Sequence, residues 1–148
     1  MPKIPPPAYV AAGLLAQHLL APKRRPGVVR LAAATAVGAS GFGLLAAATL
    51  AFRGHHTTVN PISPEKASTV VEDGVFGLTR NPMYVGMAAV LSAHALARGG
   101  LLTWLPVAGF VTVIDRVQIP AEERAMRANF GEAYDGYVQR VPRWTPWP

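Results

Sequence analysis

Two short motifs, about forty residues apart in the sequence, carry most of the polar chemistry of this chain. The first is the run Arg80-Asn81-Pro82-Met83-Tyr84-Val85-Gly86, which lies where a polar loop gives way to an apolar segment. The second begins at Glu122-Glu123, just beyond the last apolar segment. Charged and aromatic groups at the mouths of apolar helices need a reason to be there, and a functional site is one such reason.

The stretch after the glutamate pair continues the second motif. It contains Phe130-Gly131, Tyr134, Tyr137 and Val141-Pro142-Arg143-Trp144. Phe130 and Tyr137 follow Glu123 at seven-residue intervals, with Tyr134 between them. A stripe of this kind is more typical of helix packing than of ligand contact.

The composition predicts a membrane protein of one domain, covering residues 1–148. Hydrophobic residues make up 51% of the chain and charged residues only 15%, and the apolar residues are gathered into long blocks. There is no cysteine, which excludes disulfides, thiolate metal sites and a cysteine nucleophile. The net charge of +6 suits anionic lipid headgroups, and no nucleic-acid module accompanies it, so nucleic acid is not an expected partner.

We predict an all-α bundle of about four transmembrane helices, followed by an amphipathic C-terminal helix. The expected spans are residues 4–21, 28–52, 80–98 and 100–119, with a loop at 53–79 and the C-terminal helix at 120–139. A helix needs about 20 residues to cross a bilayer, so the first and third spans are marginal in length. Pro120 is expected to start the C-terminal helix, because proline lacks the amide donor of a helix interior.

The connection Arg98-Gly99-Gly100 is so short that the third and fourth spans should form an antiparallel hairpin. The hairpin would bring both motifs to the same membrane face. In the second span, small residues recur at four-residue spacing and would let helices approach closely: Ala34 and Gly38, then Ala39, Gly43 and Ala47. Nine basic residues on the motif side against five on the other favour a cytoplasmic motif face.

In order and spacing, the two motifs resemble the isoprenylcysteine carboxyl methyltransferase and phospholipid methyltransferase superfamily, over about residues 53–144. The resemblance implies an integral membrane enzyme, in a bacterial inner membrane, that uses S-adenosylmethionine. Its acceptor would be a lipophilic molecule from the bilayer, either a prenylcysteine-like carboxylate or a phospholipid amine. The chain departs from the family pattern at Asn81, where histidine is common, and at Gly77-Leu78, where an aromatic-arginine pair is common.

The resemblance also implies roles for individual residues of the first motif and its neighbours. Arg80 would pair with the cofactor's carboxylate, and Glu122 or Glu123 would accept hydrogen bonds from its ammonium or hydroxyls. Asn81 and Tyr84 would bond to the cofactor or pack against it.

Further positions and roles belong to the expected site. Gly74, Pro82 and Gly86 would shape the cofactor pocket, and Gly86 would allow close approach of a ligand or of a neighbouring backbone. Glu123 and Arg116 are the expected catalytic residues, with Arg116 guiding an anionic acceptor.

Each residue of the site also has a simpler interpretation. Arg80 could reach lipid phosphates, Tyr84 could belong to an interfacial aromatic belt, and Glu122 and Glu123 suit the positive end of a helix dipole. At the level of the whole chain, two alternatives remain: a steroid-reductase-type enzyme that uses NADPH, and a non-catalytic assembly protein.

The histidines do not predict a metal site. His55 and His56 are adjacent, so their side chains point in different directions, and no third ligand is evident. His18 and His94 lie within expected spans, where a neutral imidazole bonded to a neighbouring helix is the favoured interpretation over a functional role.

Overall fold

The computed structural model describes residues 4–23, 25–55 and 68–145, and every regular element within these ranges is helical. The α-helices are α1 (Pro6–Leu20), α2 (Val28–Gly54), α3 (Pro82–Arg98), α4 (Leu105–Val113), α5 (Ile119–Phe130) and α6 (Glu132–Arg140). Short 3-10 turns precede α3 and α4, at Gly74–Gly77 and Leu101–Trp104, and a π-turn at Ile114–Gln118 joins α4 to α5. The predicted all-helical fold is confirmed.

Two helices are long and apolar enough to cross a membrane. They are α2, with 27 residues, and the continuous helix Leu101–Phe130, with 30 residues. Helices α1 and α3 coincide with the other two expected spans but contain only 15 and 17 residues. Since about 20 residues are needed to cross the hydrocarbon core, these two helices fall short by length alone.

Helices α2 and α3 pack with their backbones close together at one pair of glycines. A methyl group added at Gly86 would stand 2.8 Å from the carbonyl oxygen of Gly41 and 2.8 Å from Cγ of Leu45. The buried positions of α2 are Ala34, Gly41 and Ala48, seven residues apart. The close approach is therefore made at Gly41 on a seven-residue repeat, and Gly43, expected to contribute, faces open space.

A buried glutamine fastens α1 to the hairpin of α3 and α4. Gln17 is fully buried, and its Nε2 donates to the carbonyl oxygens of Leu91 at 3.0 Å and Thr103 at 2.9 Å. Its Oε1 lies 2.8 Å from Nδ1 of His94. The favoured interpretation of His94, bonded to a neighbouring helix, matches this contact.

The C-terminal region differs from the prediction in having a break. Pro120 lies in the first turn of α5, as expected, and the π-turn before it, in which the amide of Ile119 donates to the carbonyl of Ile114, joins α5 to α4 without a break. The helix ends at Gly131, whose positive φ of 50° suits glycine. The single helix expected at 120–139 is therefore two helices, α5 and α6.

Candidate active site

The two polar motifs meet at the start of α3. Nη2 of Arg80 donates to Oε1 of Glu123 at 3.0 Å, and only 9% and 8% of the two side chains are exposed. Nη1 of Arg80 donates to the carbonyls of Val138 and Val141 at 2.9 and 3.2 Å. The sequence-based expectation that the hairpin brings the motifs together is confirmed for this pair.

Glu123 is the centre of an arginine cluster. Arg143 donates through Nη2 to Oε2 at 2.9 Å and through Nε to Oε1 at 3.2 Å, and Arg127 lies 3.9 Å from Oε2. The hydrogen bonds to Glu123 raise the pKa of Arg143, so its guanidinium stays charged. Both carboxylate oxygens of Glu123 are thus occupied by cations of the protein itself, which suits a residue that positions others.

A second carboxylate holds the end of the described chain. Oδ1 of Asp115 accepts from Nη1 of Arg143 at 3.2 Å and from the indole Nε1 of Trp144 at 2.8 Å. Asp115 lies on the π-turn, inside the segment expected to span the membrane. Asp115 was not among the predicted site residues, although an acidic side chain within an apolar span is itself a signal of function.

Glu122 occupies a different environment from its neighbour. The buried hydroxyl of Tyr84 donates to Oε1 of Glu122, and Nε2 of Gln118 donates to the same oxygen at 2.7 Å. Among the described residues, Oε2 of Glu122 receives no hydrogen bond. Gln118 was also missed, and no pattern in the sequence distinguishes it, because its position depends on the π-turn.

The backbone before α3 is tied to the C-terminal segment. Nδ2 of Asn81 donates to the carbonyl of Arg143 at 2.9 Å, and the Thr79 hydroxyl donates to the same oxygen at 3.1 Å. The amide of Arg80 donates to the carbonyl of Pro142 at 2.9 Å. Pro82 is buried in the first turn of α3, where its missing donor costs nothing.

The aromatic stripe of the second motif packs within the protein. The hydroxyl of Tyr137 donates to the carbonyl of Phe76 at 2.7 Å, which joins α6 to the 3-10 turn that begins at Gly74. Burial raises the pKa of Tyr134 to about 12, so its phenol stays neutral. Gly74 has a positive φ of 55°, which explains glycine at this turn.

Two expected site residues lie outside this cluster. Gly86 faces the backbone of α2 at Gly41, so the space beside it is filled by α2 and not open to a ligand. Arg116 is 81% exposed, and its recorded partner is Asp115, whose Oδ2 lies 3.4 Å from its Nε. Among the described residues, Arg116 contacts neither glutamate of the pair. His55 lies 3.0 Å from Asp73, and His56 falls outside the described residues.

Comparison with known proteins gives one family and one relative. A family model described as "Phospholipid methyltransferase" matches residues 29–133. An uncharacterized protein from Haemophilus influenzae is 40% identical over 62 residues, which cover 42% of this chain and 98% of the relative. No solved structure matches.

Proposed function

The chain belongs to the phospholipid methyltransferase family, and from that premise we propose that it transfers a methyl group from S-adenosylmethionine to a lipophilic acceptor at the membrane surface. The family and the two long apolar helices together indicate a membrane methyltransferase. The proposal of S-adenosylmethionine as cofactor and of a lipophilic acceptor is supported by one observation. Arg80, Glu122 and Glu123 converge at one buried end of the helix bundle.

The residues at this end fit the polar groups of the cofactor. S-adenosylmethionine carries a carboxylate and an ammonium, and so needs one cationic donor and one anionic acceptor. Nε of Arg80 is buried and has no hydrogen-bond partner among the described residues. Oε2 of Glu122 accepts nothing from them either. One donor and one acceptor are therefore available at the place where the two motifs meet.

We assign different roles to the two glutamates. Glu122 would accept from the cofactor's ammonium or a ribose hydroxyl, because one of its oxygens is available. Glu123 would hold the Arg80 guanidinium in place, so that Nε faces the cofactor's carboxylate. Asn81, Pro82, Tyr84 and Gly74 would form the surrounding wall. Bound S-adenosylmethionine supplies an activated methyl group on its sulfonium, so the protein needs mainly to orient the acceptor and exclude water.

Two kinds of acceptor are considered, and a different residue would serve each. A phospholipid amine must lose a proton before it attacks and so needs a base; in this case the available oxygen of Glu122 would take that proton in place of binding the cofactor. A prenylcysteine-like carboxylate is already ionised, and the exposed guanidinium of Arg116 could guide it. Supplying each acceptor with labelled S-adenosylmethionine identifies the substrate. If the acceptor is a carboxylate, Arg116→Ala should raise its KM; if it is an amine, the variant should leave KM unchanged.

Cofactor binding is tested with purified protein in detergent and S-adenosylhomocysteine, with NADPH tested in parallel. We expect saturable S-adenosylhomocysteine binding that Glu122→Gln weakens by about ten- to a hundredfold, since a hydrogen bond to a charged group contributes about 1.5–3 kcal/mol. The matched control Glu132→Gln removes an exposed carboxylate at the start of α6 and should bind normally. Binding of NADPH instead would support a reductase, and binding of neither ligand would support an assembly protein.

A further inference from the structure

The end of the bundle opposite the candidate site contains a groove of about 350 Å³ that is open to the outside. Arg30 of α2, Leu96 and Gly99 at the end of α3, and Trp104 of the following turn line it. Both helices that are long enough to cross a membrane begin here, at Val28 and Leu101. The groove therefore lies at the level where lipid headgroups meet the hydrocarbon core.

The guanidinium of Arg30 is seated inside this groove, over the backbone of Gly99. A methyl group added at Gly99 would stand 2.1 Å from Nη1 of Arg30, so the guanidinium lies directly against the backbone of Gly99. Gly99 has a positive φ of 72°, which suits glycine. Among the described residues, Arg30 has no hydrogen-bond or ion-pair partner. An exposed guanidinium thus lines a largely apolar groove, and the part of the chain that the structure describes offers it no anionic partner.

The surrounding sequence is cationic only. Segments 21–31 and 94–104 contain five lysines and arginines and no acidic residue: Lys23, Arg24, Arg25, Arg30 and Arg98. The acidic residues of the chain all lie between Glu65 and Asp135, outside these two segments. No acidic residue of these segments balances the positive charge at this end, so an anionic ligand would meet no repulsion from them.

We propose that this groove binds the headgroup of an anionic phospholipid, with its phosphate on Arg30. A guanidinium presents several donors in one plane and matches a phosphate well. Trp104 suits the headgroup level, and Leu96 and Leu101 offer apolar surface to the first part of an acyl chain. The other basic residues of this end attract the lipid's net negative charge, each contributing modestly near a membrane surface.

Native mass spectrometry of the full chain tests the proposal, with phosphatidylglycerol, phosphatidylcholine and inorganic phosphate as three separate probes. We expect phosphatidylglycerol to bind saturably, and Arg30→Gln to weaken that binding by about tenfold. The matched control Arg25→Gln removes an exposed arginine at the same end that does not line the groove, and should change binding by less than about twofold. Arg30→Lys keeps the charge but not the planar donors, so its affinity for phosphatidylglycerol should lie between those of the parent and Arg30→Gln.

Three results would overturn the proposal. If Arg25→Gln and Arg30→Gln weaken phosphatidylglycerol binding equally, the lipid is attracted only by the overall positive charge of this end and not by a specific site. Equal binding of phosphatidylcholine would remove the need for an anionic headgroup. Binding of inorganic phosphate as tight as that of the lipid would make a free anion the occupant. Because Arg30 lies far from the candidate site, S-adenosylhomocysteine affinity of Arg30→Gln serves as the folding control and should equal that of the parent.

Discussion

Arg80 and Glu123 are separated by 43 positions in the sequence, and 3.0 Å separates their charged groups in the structure. The pair joins the start of α3 to α5, and through Arg143, which also donates to Glu123, it reaches the end of the described chain. More than nine-tenths of each side chain is buried. A buried ion pair of this kind is sensitive to the loss of either partner, because the remaining charge is left without compensation.

The first prediction concerns the stability of this pair. Glu123→Gln keeps the shape of the side chain but removes its charge and turns one acceptor oxygen into a donor that faces an arginine. We expect the free energy of unfolding to fall by about 3 kcal/mol, which corresponds to a melting temperature lower by about 6–12 °C. Thermal unfolding in detergent measures this, with the exposed Glu132→Gln as the control. A melting temperature equal to that of the parent would show that Glu123 is not the structural centre of the cluster.

The second prediction separates helix packing from ligand binding at Gly86. In Gly86→Ala the new methyl group would lie 2.8 Å from the Gly41 carbonyl, so α2 and α3 must move apart. We expect the free energy of unfolding to fall by about 1–3 kcal/mol, as in other overpacked cores. In the control Gly43→Ala the methyl group meets nothing within 4 Å, and the variant should be unchanged or more stable by about 0.5–1 kcal/mol. If Gly86→Ala melts like the parent but no longer binds S-adenosylhomocysteine, Gly86 belongs to the cofactor pocket after all.

The sequence was sufficient to predict the helical fold and the meeting of the two motifs. Both depend on strong local signals: long apolar blocks, and a connection at Gly99-Gly100 too short for anything but a hairpin. Once the hairpin is assumed, Arg80 and the glutamate pair must lie at the same end. The direct contact between Arg80 and Glu123 was not predicted, because each was expected to bind the cofactor.

Other features depend on tertiary contacts that leave no local signal. The π-turn joins α4 to α5 without a break just before Pro120, and no pattern in the sequence marks it. The same turn places Gln118 against Glu122, and nothing in the sequence marks that glutamine. Gly41 could not be distinguished from Gly38 or Gly43 by spacing, because the choice depends on which face of α2 meets α3.

The third prediction concerns orientation in the membrane. The natural chain has no cysteine, so single cysteines can be introduced without background labelling. If the candidate site faces the cytoplasm, a cysteine at Gly27 should react with a membrane-impermeant thiol reagent in intact cells. A cysteine at Glu132 should react only after the cells are opened. The reverse pattern would place the site on the outer face, away from the cytosolic supply of S-adenosylmethionine.

The fourth prediction concerns the attachment of α6 and the residues that follow it. Arg143 binds Glu123 and Asp115 through its side chain, and its carbonyl accepts from Asn81 and Thr79. Arg143→Ala removes the charged hydrogen bonds but keeps the backbone contacts, so we expect the segment to detach more often without global unfolding.

Hydrogen exchange measures this local opening. Because hydrogen bonds to charged groups contribute about 1.5–3 kcal/mol, amides of α6 should exchange about ten- to a hundredfold faster in Arg143→Ala, while those of α2 and α3 keep the parent rate. Arg116→Ala is the matched control, since Arg116 also pairs with Asp115 but is 81% exposed. An exposed pair contributes about 0–1 kcal/mol, so exchange in α6 should hardly change in that variant. If the two variants accelerate exchange equally, Asp115 rather than Glu123 anchors the segment, and if neither does, the backbone contacts alone hold it.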